Sequence, residues 1–165
     1  MEELLTRFCA VGEQARPWLC APWSAGAWVY YSDGRVVVRV PHNATKHERI
    51  AALDFDPAAK MFADHFSDGG EFVVLPKLNE PAICGLCEGE RVHDGSECFV
   101  CCGTGHQQEA VPMFDAPWSD YYVWLFGQLP QVRIRAPKPS PNPEKPFPAP
   151  LIFDGGQGLL MPRRA

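Results

Sequence analysis

The segment CGLCEGERVHDGSECFVCCGTG, residues 84–105, constrains the fold more than any other, because it holds five of the chain's seven cysteines and five of its 14 glycines. It contains two CxxC pairs with ten residues between them. A CxxC turn places two thiolates on one side of the chain, and two such turns supply the four tetrahedral ligands that structural zinc prefers. The sequence therefore predicts one structural Zn²⁺ with four ligands: Cys84, Cys87, Cys98 and Cys101.

Three other uses of these cysteines are weighed against zinc. Disulfides fit poorly with an odd cysteine count and with a reducing cytosol. A thioredoxin-type CxxC stands at a helix start after a buried strand, whereas both pairs here lie in Gly-rich polar sequence. A catalytic zinc keeps an open coordination position, and four cysteines leave none. We interpret Cys102 as a spare thiol and expect three nearby polar residues to be solvated: Glu88, His93 and His106.

Length and charge limit the class of protein. The 165 residues suffice for one domain with a small lobe, and the apolar share of 46% can fill a core. A net charge of −5 disfavours binding to phosphates and favours a protein partner. The sequence opens with acidic residues rather than the basic segment of a secretory signal. No window reaches the roughly 18 apolar residues of a membrane span. We therefore expect a cytoplasmic protein without a membrane segment, in an oligomeric state that the sequence leaves open.

Before the cysteines, the sequence predicts a hairpin, a helix and a strand. AGAWVYYSDGRVVVRVP turns at Asp33-Gly34, a pair that suits a type I′ turn. DFDPAAKMFADHFSDGG predicts a helix from Asp56 to near Gly69. EFVVLPKL predicts a strand. The residues expected on the buried face of the helix are Ala59, Phe62, Ala63 and Phe66.

After the cysteines, the sequence predicts a helix, a strand and a closing hairpin. WSDYYVWLFGQLP starts a helix at the Ser119 cap, QVRIRAP predicts a short strand, and LIFDGGQGLLMP predicts the hairpin. Residues 136–150 hold seven prolines in fifteen positions, which predicts an exposed polyproline-like loop. We interpret this loop as a connection between strands rather than a ligand for an SH3-type domain. The inward side chains expected on the helix are Tyr122, Leu125, Phe126 and Leu129.

The pattern CxxCxG followed by CxxCxGxG resembles the cysteine-rich zinc region of Hsp40 (DnaJ-type) chaperones. That family has four such repeats and two zinc ions, so the two repeats here imply one zinc. The first repeat has Arg91 where the family has its last glycine. The chain has no J-domain, HPD tripeptide or Gly/Phe linker, so the resemblance implies no chaperone activity. The matching positions are Cys84, Cys87 and Gly89, then Cys98, Cys101, Gly103 and Gly105.

The turn SDGR at residues 32–35, the segment VRI at 132–134 and the tail LMPR at 160–163 are similar to motifs of the bacterial β sliding clamp, the DNA polymerase processivity factor. On these motifs, residues 1–80 and 115–165 resemble one domain of that family. The resemblance implies an α+β fold, in which an antiparallel sheet packs on helices and a zinc-binding lobe, residues 81–110, is inserted between two strands. Residues 136–150 form the proline-rich loop. Small clamp-like proteins with a cysteine-rich insert resemble phage or prophage products. The resemblance is carried by SDGR at Ser32, Asp33, Gly34 and Arg35, by Tyr122, Val123, Gly127 and Leu129, by Val132, Arg133 and Ile134, and by Leu160, Met161, Pro162 and Arg163.

Charge disfavours the DNA-encircling role of a clamp, whose helices present Lys and Arg to phosphates. Residues 56–66 carry Asp56 and Asp64 against Lys60, and the helix after Ser119 carries Asp120 and no base. The sequence contains no P-loop, GxSxG, HExxH or dinucleotide motif. We therefore expect a non-catalytic, zinc-stabilised protein-binding module. The resemblance to phage products implies an accessory or inhibitor acting on a host protein in DNA replication or defence, in the host cytoplasm.

The alternative is a nucleic-acid-binding protein with clamp-like or zinc-ribbon activity. Arg91 is the only certain cation in the cysteine segment, so such binding requires a basic patch assembled elsewhere. An enzyme is a third hypothesis. The residues considered for the patch are Lys46, Arg49, Arg133, Arg135, Arg163 and Arg164, and those considered for catalysis are Asp33, His42, His47 and Asp54.

Overall fold

An eight-stranded sheet forms the frame of the molecule. The computed structural model describes residues 1–13, 15–45, 51–53, 56–67, 69–142 and 146–163. The helices of these residues are α1 (Glu2–Thr6), α2 (Ala59–Phe66) and α3 (Asp120–Gly127), with short 3₁₀ helices at Pro17–Leu19 and His42–Ala44. Their strands are β1 (Trp23–Ala25), β2 (Trp28–Ser32), β3 (Val36–Pro41), β4 (Ala51–Ala52), β5 (Val73–Val74), β6 (Val92–His93), β7 (Ser96–Glu97), β8 (Ala110–Met113), β9 (Ala116–Ser119), β10 (Arg133–Ile134), β11 (Ala149–Phe153) and β12 (Gly156–Leu160).

The strand order of the large sheet is β4-β1-β2-β3-β12-β11-β10-β5. Neighbouring strands run antiparallel except β1 and β4, which are parallel. Two small hairpins, β6–β7 and β8–β9, stand apart from it. The structure thus confirms a mixed helix and strand protein with a large antiparallel sheet and few helices. The sliding-clamp resemblance and the division into core, lobe and loop stay predictions.

The sheet is covered on both faces. Along β3, Val36, Val38 and Val40 join one apolar cluster, in which α1 and α3 also lie. Val37, between them, joins a second cluster with Phe62 of α2. This division follows from the period of two in a strand, where successive side chains point to opposite faces. A strand that is apolar on both faces, as the run VVVRV is, therefore marks the middle of the molecule.

The predicted hairpin of β2 and β3 is confirmed, but its turn differs from the prediction. Gly34 has a φ of 89°, whereas neither Asp33 nor Arg35 has a positive φ. A type I′ turn needs positive φ at both central residues, so that part of the prediction is wrong. The Asp33 carboxylate explains the difference, because its Oδ1 accepts the backbone amides of Arg35 (2.8 Å) and Val36 (3.2 Å) and so folds the turn around itself.

Helix α2 is shorter than predicted, and its buried face matches the expected one only in part. The Asp56 carboxylate accepts the amides of Ala58 and Ala59 (2.9 and 2.8 Å), and the helix begins at Ala59. The buried positions are Ala58, Phe62 and His65, while Ala59 and Ala63 are exposed and Phe66 is half-buried. Of the expected stripe, Phe62 is buried and Phe66 packs against the same cluster, whereas the two alanines are exposed, because such small side chains do not indicate which side faces the sheet.

Helix α3 begins after Ser119 as predicted, and the four expected inward side chains are buried. Three further residues, Tyr121, Val123 and Trp124, are buried as well. The predicted strands near residues 73 and 133 and the closing hairpin are also present, although β5 is two residues long. Of the proline-rich loop, residues 143–145 lie outside the described residues. No helix among the described residues is long and apolar enough to cross a bilayer.

One buried hydrogen bond joins α3 to the β2–β3 turn. The Tyr122 hydroxyl donates to Oδ2 of Asp33, 89 residues away in sequence. Burial raises the pKa of the Asp33 carboxyl, and the Tyr122 hydroxyl and the turn amides oppose that rise. The carboxylate thus holds its own turn with one oxygen and the helix with the other.

We expect Tyr122→Phe to lower the free energy of unfolding by about 1.5–3 kcal/mol near neutral pH, because it removes a hydrogen bond to a charged group. Tyr31→Phe is the control: its hydroxyl lies 3.4 Å from Oγ1 of Thr45, and loss of that neutral contact should cost about 0.5–1.5 kcal/mol. Chemical denaturation of both variants measures the difference, and equal losses would contradict the role given to Asp33.

The loss of unfolding free energy in Tyr122→Phe should also depend on pH, and the sign of that dependence follows from the raised pKa of Asp33. A raised folded pKa favours the protonated carboxyl, so the associated stability is present at acid pH and lost as the pH rises through the folded pKa. Tyr122→Phe raises the pKa of Asp33 further. The deficit of the variant should therefore grow as the pH rises through the carboxyl range and be smallest at acid pH, which denaturation at several pH values tests.

Candidate metal centre

Four cysteine sulfurs form a buried cluster. The Sγ atoms of Cys84, Cys87, Cys98 and Cys101 all lie within 4.8 Å of one another. Cys84 and Cys98 are 3.9 Å apart at sulfur, and Cys87 and Cys101 are 3.7 Å apart. A disulfide needs about 2.05 Å, so these are free thiols. The structure brings together the four residues that the sequence singles out, in an arrangement suited to hold one metal ion; their role as ligands stays a prediction.

Two tight turns and a hairpin create the cluster. In the first turn the amide of Glu88 donates to the carbonyl of Cys84 (2.9 Å), and in the second the amide of Thr104 donates to the carbonyl of Cys101 (3.3 Å). The hairpin β6–β7 lies between them and returns the chain, so that the turns face each other. Gly105, with φ of 79°, aims its amide at Sγ of Cys101 (3.3 Å).

The electrostatics of the cluster are compatible with a bound cation. Hydrogen bonds from the amides of Cys87 and Leu86 lower the pKa of the Cys84 thiol to about 7. Burial, together with the neighbouring thiols, raises the pKa of Cys101 to about 12. Four thiolates this close repel one another in a low dielectric. They can all ionise only when a bound cation compensates their charge.

Two arginines fasten this lobe to the rest of the protein. Arg91, between the two CxxC turns, donates from Nε to the carbonyl of Gly103 (2.7 Å) and from Nη2 to the carbonyl of Cys9 (2.7 Å). Arg35, in the β2–β3 turn, donates to the Glu97 carboxylate (3.0 Å) and to the carbonyl of Cys102 (3.4 Å). Sequence analysis did not predict these roles, because the links that join Arg35 and Arg91 across the two parts of the protein span 62 to 82 positions along the chain.

The N-terminal segment lies directly against the β6–β7 hairpin. The amide of Glu13 donates to the carbonyl of Gly95 (3.2 Å). A Cβ built on Gly12 would lie 2.5 Å from the backbone nitrogen of Glu97. Only a glycine permits this approach, so the segment after α1 and the lobe form a continuous interface.

His106 was expected to be solvated, and this is wrong. It is buried, with its ring 5.2 Å from Tyr121 and 5.6 Å from Trp124, both in α3. Its Nε2 lies 3.1 Å from Oε1 of Glu80, and its Nδ1 lies 3.2 Å from the carbonyl of Thr104. The aromatic run of α3, which the sequence analysis treated as core, was the signal that a partner ring was needed.

The other candidates from the sequence do not join the cluster. Glu88 is exposed, and His93 is half-buried beside Asp94, at 3.5 Å. Cys102 lies outside the four-sulfur cluster, as its interpretation as a spare thiol requires.

The described candidates for a basic patch or a catalytic pair give no sign of either. Arg135 is buried and donates to the carbonyl of His65, while Arg133 and Arg163 are exposed. Asp33 and His42 stand at opposite ends of the β2–β3 hairpin. The remaining candidates, Lys46, Arg49, Arg164, His47 and Asp54, lie outside the described residues.

No protein-family model matches the sequence, and neither the curated proteins nor the solved structures contain a significant match.

Gly105→Ala tests the backbone of the cluster. A Cβ there would lie 2.6 Å from the carbonyl oxygen of Gly89, at a positive φ that costs alanine about 1–2 kcal/mol. We expect faster amide hydrogen exchange over residues 84–105. Gly85→Ala is the matched control, because no atom lies within 4 Å of its Cβ position. Equal exchange rates in both variants would show that the close approach at Gly105 does not hold the cluster.

Proposed function

We propose that the four cysteines bind one structural Zn²⁺. A tetrahedron with Zn–S bonds of about 2.3 Å has edges of about 3.8 Å, and the two closest sulfur pairs, at 3.9 and 3.7 Å, fit it. Four cysteine ligands leave no open position for substrate or water, which is the arrangement of structural rather than catalytic zinc. The proposed zinc would then stabilise the lobe and take no part in catalysis.

Cys98→Ser should abolish zinc binding and unfold the lobe, because structural zinc contributes on the order of 10 kcal/mol of apparent binding energy in small sites. The links through Arg35 and Arg91 should carry part of this loss into the core as a lower melting temperature. Native mass spectrometry and a melting curve measure both. Cys102→Ser is the control and should keep one zinc. An unchanged zinc content in Cys98→Ser would exclude the site.

The function we propose is a non-catalytic protein-binding module, built as an accessory or inhibitor that acts on a host protein in DNA replication or defence. The observation that carries it is Phe99, whose side chain is 76% exposed although Cys98 and Cys101 on either side of it are fully buried. Val100 beside it and Ile83 at the base of the lobe are exposed too. A rigid turn that holds large apolar side chains in water is typical of an interaction site.

The charge of the lobe supports a protein partner over a nucleic acid. Its one arginine, Arg91, is half-buried and donates hydrogen bonds to the backbone carbonyls of Arg7, Cys9 and Gly103. Exposed acidic side chains surround the metal turns, at Glu88, Glu90 and Asp94. Phosphates would meet repulsion here, whereas an apolar protein surface would not.

We expect Phe99→Ser to remove specific partners from an affinity capture on host lysate without changing the melting curve. Val74→Ser is the matched control, since Val74 is 77% exposed on the edge strand β5, away from the lobe, and should leave capture unchanged. The measurement is quantitative mass spectrometry of captured proteins, with a labelled DNA duplex added to the lysate. Retention of the duplex in a salt-dependent manner by both variants would favour the nucleic-acid function instead.

A further inference from the structure

A groove runs between the core and the second CxxC turn, residues 98–101, which we call the second metal turn. It has a volume of about 640 Å³, which lies within the range of about 300–1,000 Å³ found for ligand-binding clefts. One wall is formed by the lobe, and the other by residues 161–163, which follow β12. The described residues that line it are Gly34, Arg35, Val100, Cys102, Gln108, Ser119, Tyr122, Pro146, Met161, Pro162 and Arg163.

The groove offers apolar walls that face water. Val100 on the lobe is 56% exposed, and Met161 on the core is 37% exposed. Pro146 and Pro162 add further apolar surface along the lining. An apolar side chain inserted between Val100 and Met161 would cover two residues that are otherwise hydrated, and this burial would favour binding.

The charge of the groove is opposite to that of the chain. The chain carries a net charge of −5, yet the described lining residues include Arg35 and Arg163 and no carboxylate. Arg35 is already paired with Glu97 at 3.0 Å. Arg163 donates to the carbonyl of Gln108 at 3.3 Å, and no salt bridge between described residues includes it. Among the described residues its positive charge therefore has no carboxylate partner beside the apolar wall.

We propose that this groove binds an extended acidic peptide segment of the protein partner, with a large apolar side chain between Val100 and Met161 and a carboxylate on Arg163. The inference rests on the proposed function and names the class of partner. An arginine guanidinium forms a two-bonded pair with a carboxylate, which fixes the register of the segment. Since one wall belongs to the second metal turn, the groove exists only while the lobe is folded.

Two other occupants fit the groove less well. A second copy of the chain brings a whole surface with a net charge of −5, and its repulsion from an equally charged chain is larger than that met by a short segment with two acidic residues placed on Arg163. A nucleic acid would satisfy Arg163 through phosphate, but it leaves Val100 and Met161 without an apolar partner. Both remain outcomes of the test.

The test uses the full chain loaded with zinc and a fluorescein-labelled nonapeptide library with two central Asp or Glu residues followed by Leu or Phe. A second library carries Asn or Gln in place of the acids. Fluorescence polarisation should show binding to the acidic library and at least about tenfold weaker binding to the amide library. Arg163→Glu should weaken the acidic library by a similar factor, Val100→Ser should weaken both libraries, and Arg163→Lys should bind with intermediate strength.

Arg133→Glu is the matched control, because Arg133 is an exposed arginine on β10 outside the groove lining, and it should bind like the wild type. The proposal is overturned if neither library binds, if both bind equally, or if Arg133→Glu weakens binding as much as Arg163→Glu. It is also overturned if a DNA oligonucleotide binds in a manner that depends on Arg163, or if sedimentation shows a dimer that Arg163→Glu dissociates. Loss of lysate capture in Phe99→Ser alongside any of these results would leave the proposed function standing without this groove.

Discussion

The lobe has no core other than its sulfurs. Its buried cluster consists of the four cysteines, with Leu86 packed partly against them. An ordinary lobe of this size would need apolar side chains to offset the loss of chain entropy, and here the apolar side chains that could do so, at Phe99 and Val100, point into water. The proposed zinc would take the place of that missing core and would leave those side chains available for contact with another molecule.

A series of hydrogen bonds joins the lobe to the sheet. Tyr122 of α3 holds Asp33, Asp33 shapes the turn, and the next residues of that turn place Arg35 against Glu97 and the carbonyl of Cys102. On the other side, His106 packs on the aromatic rings of α3. The same helix thus supports the core and two attachments of the lobe, while Arg91 joins the lobe separately to the N-terminal segment. It is buried all around because it is sandwiched between sheet and lobe.

Patterns that are local in sequence predicted the elements well, while contacts that are distant in sequence could not be predicted. The two CxxC pairs predicted the cysteine cluster. The apolar segments on either side of Asp-Gly turns predicted the β2–β3 and β11–β12 hairpins, because both structures follow from short sequence patterns. Helix α2 lies within its predicted range, but part of its buried face was predicted wrongly, since Ala59 and Ala63 are too small to mark a buried face. Arg35, Arg91 and His106 carry no motif; their roles depend on residues up to 84 positions away. The hairpin β8–β9 was missed because Pro112 and Pro117 obscure its strand pattern.

The close approach at Gly12 has a consequence for the order of folding. The N-terminal segment contacts the lobe through partners 82 and 84 residues further along the chain, where Arg91 meets the carbonyls of Cys9 and Arg7. Contacts at such separation form late, since a long loop must close first. The contacts around Gly12 can therefore be completed only after the β6–β7 hairpin has formed. With the proposed zinc holding that hairpin, metal supply would control when these contacts form.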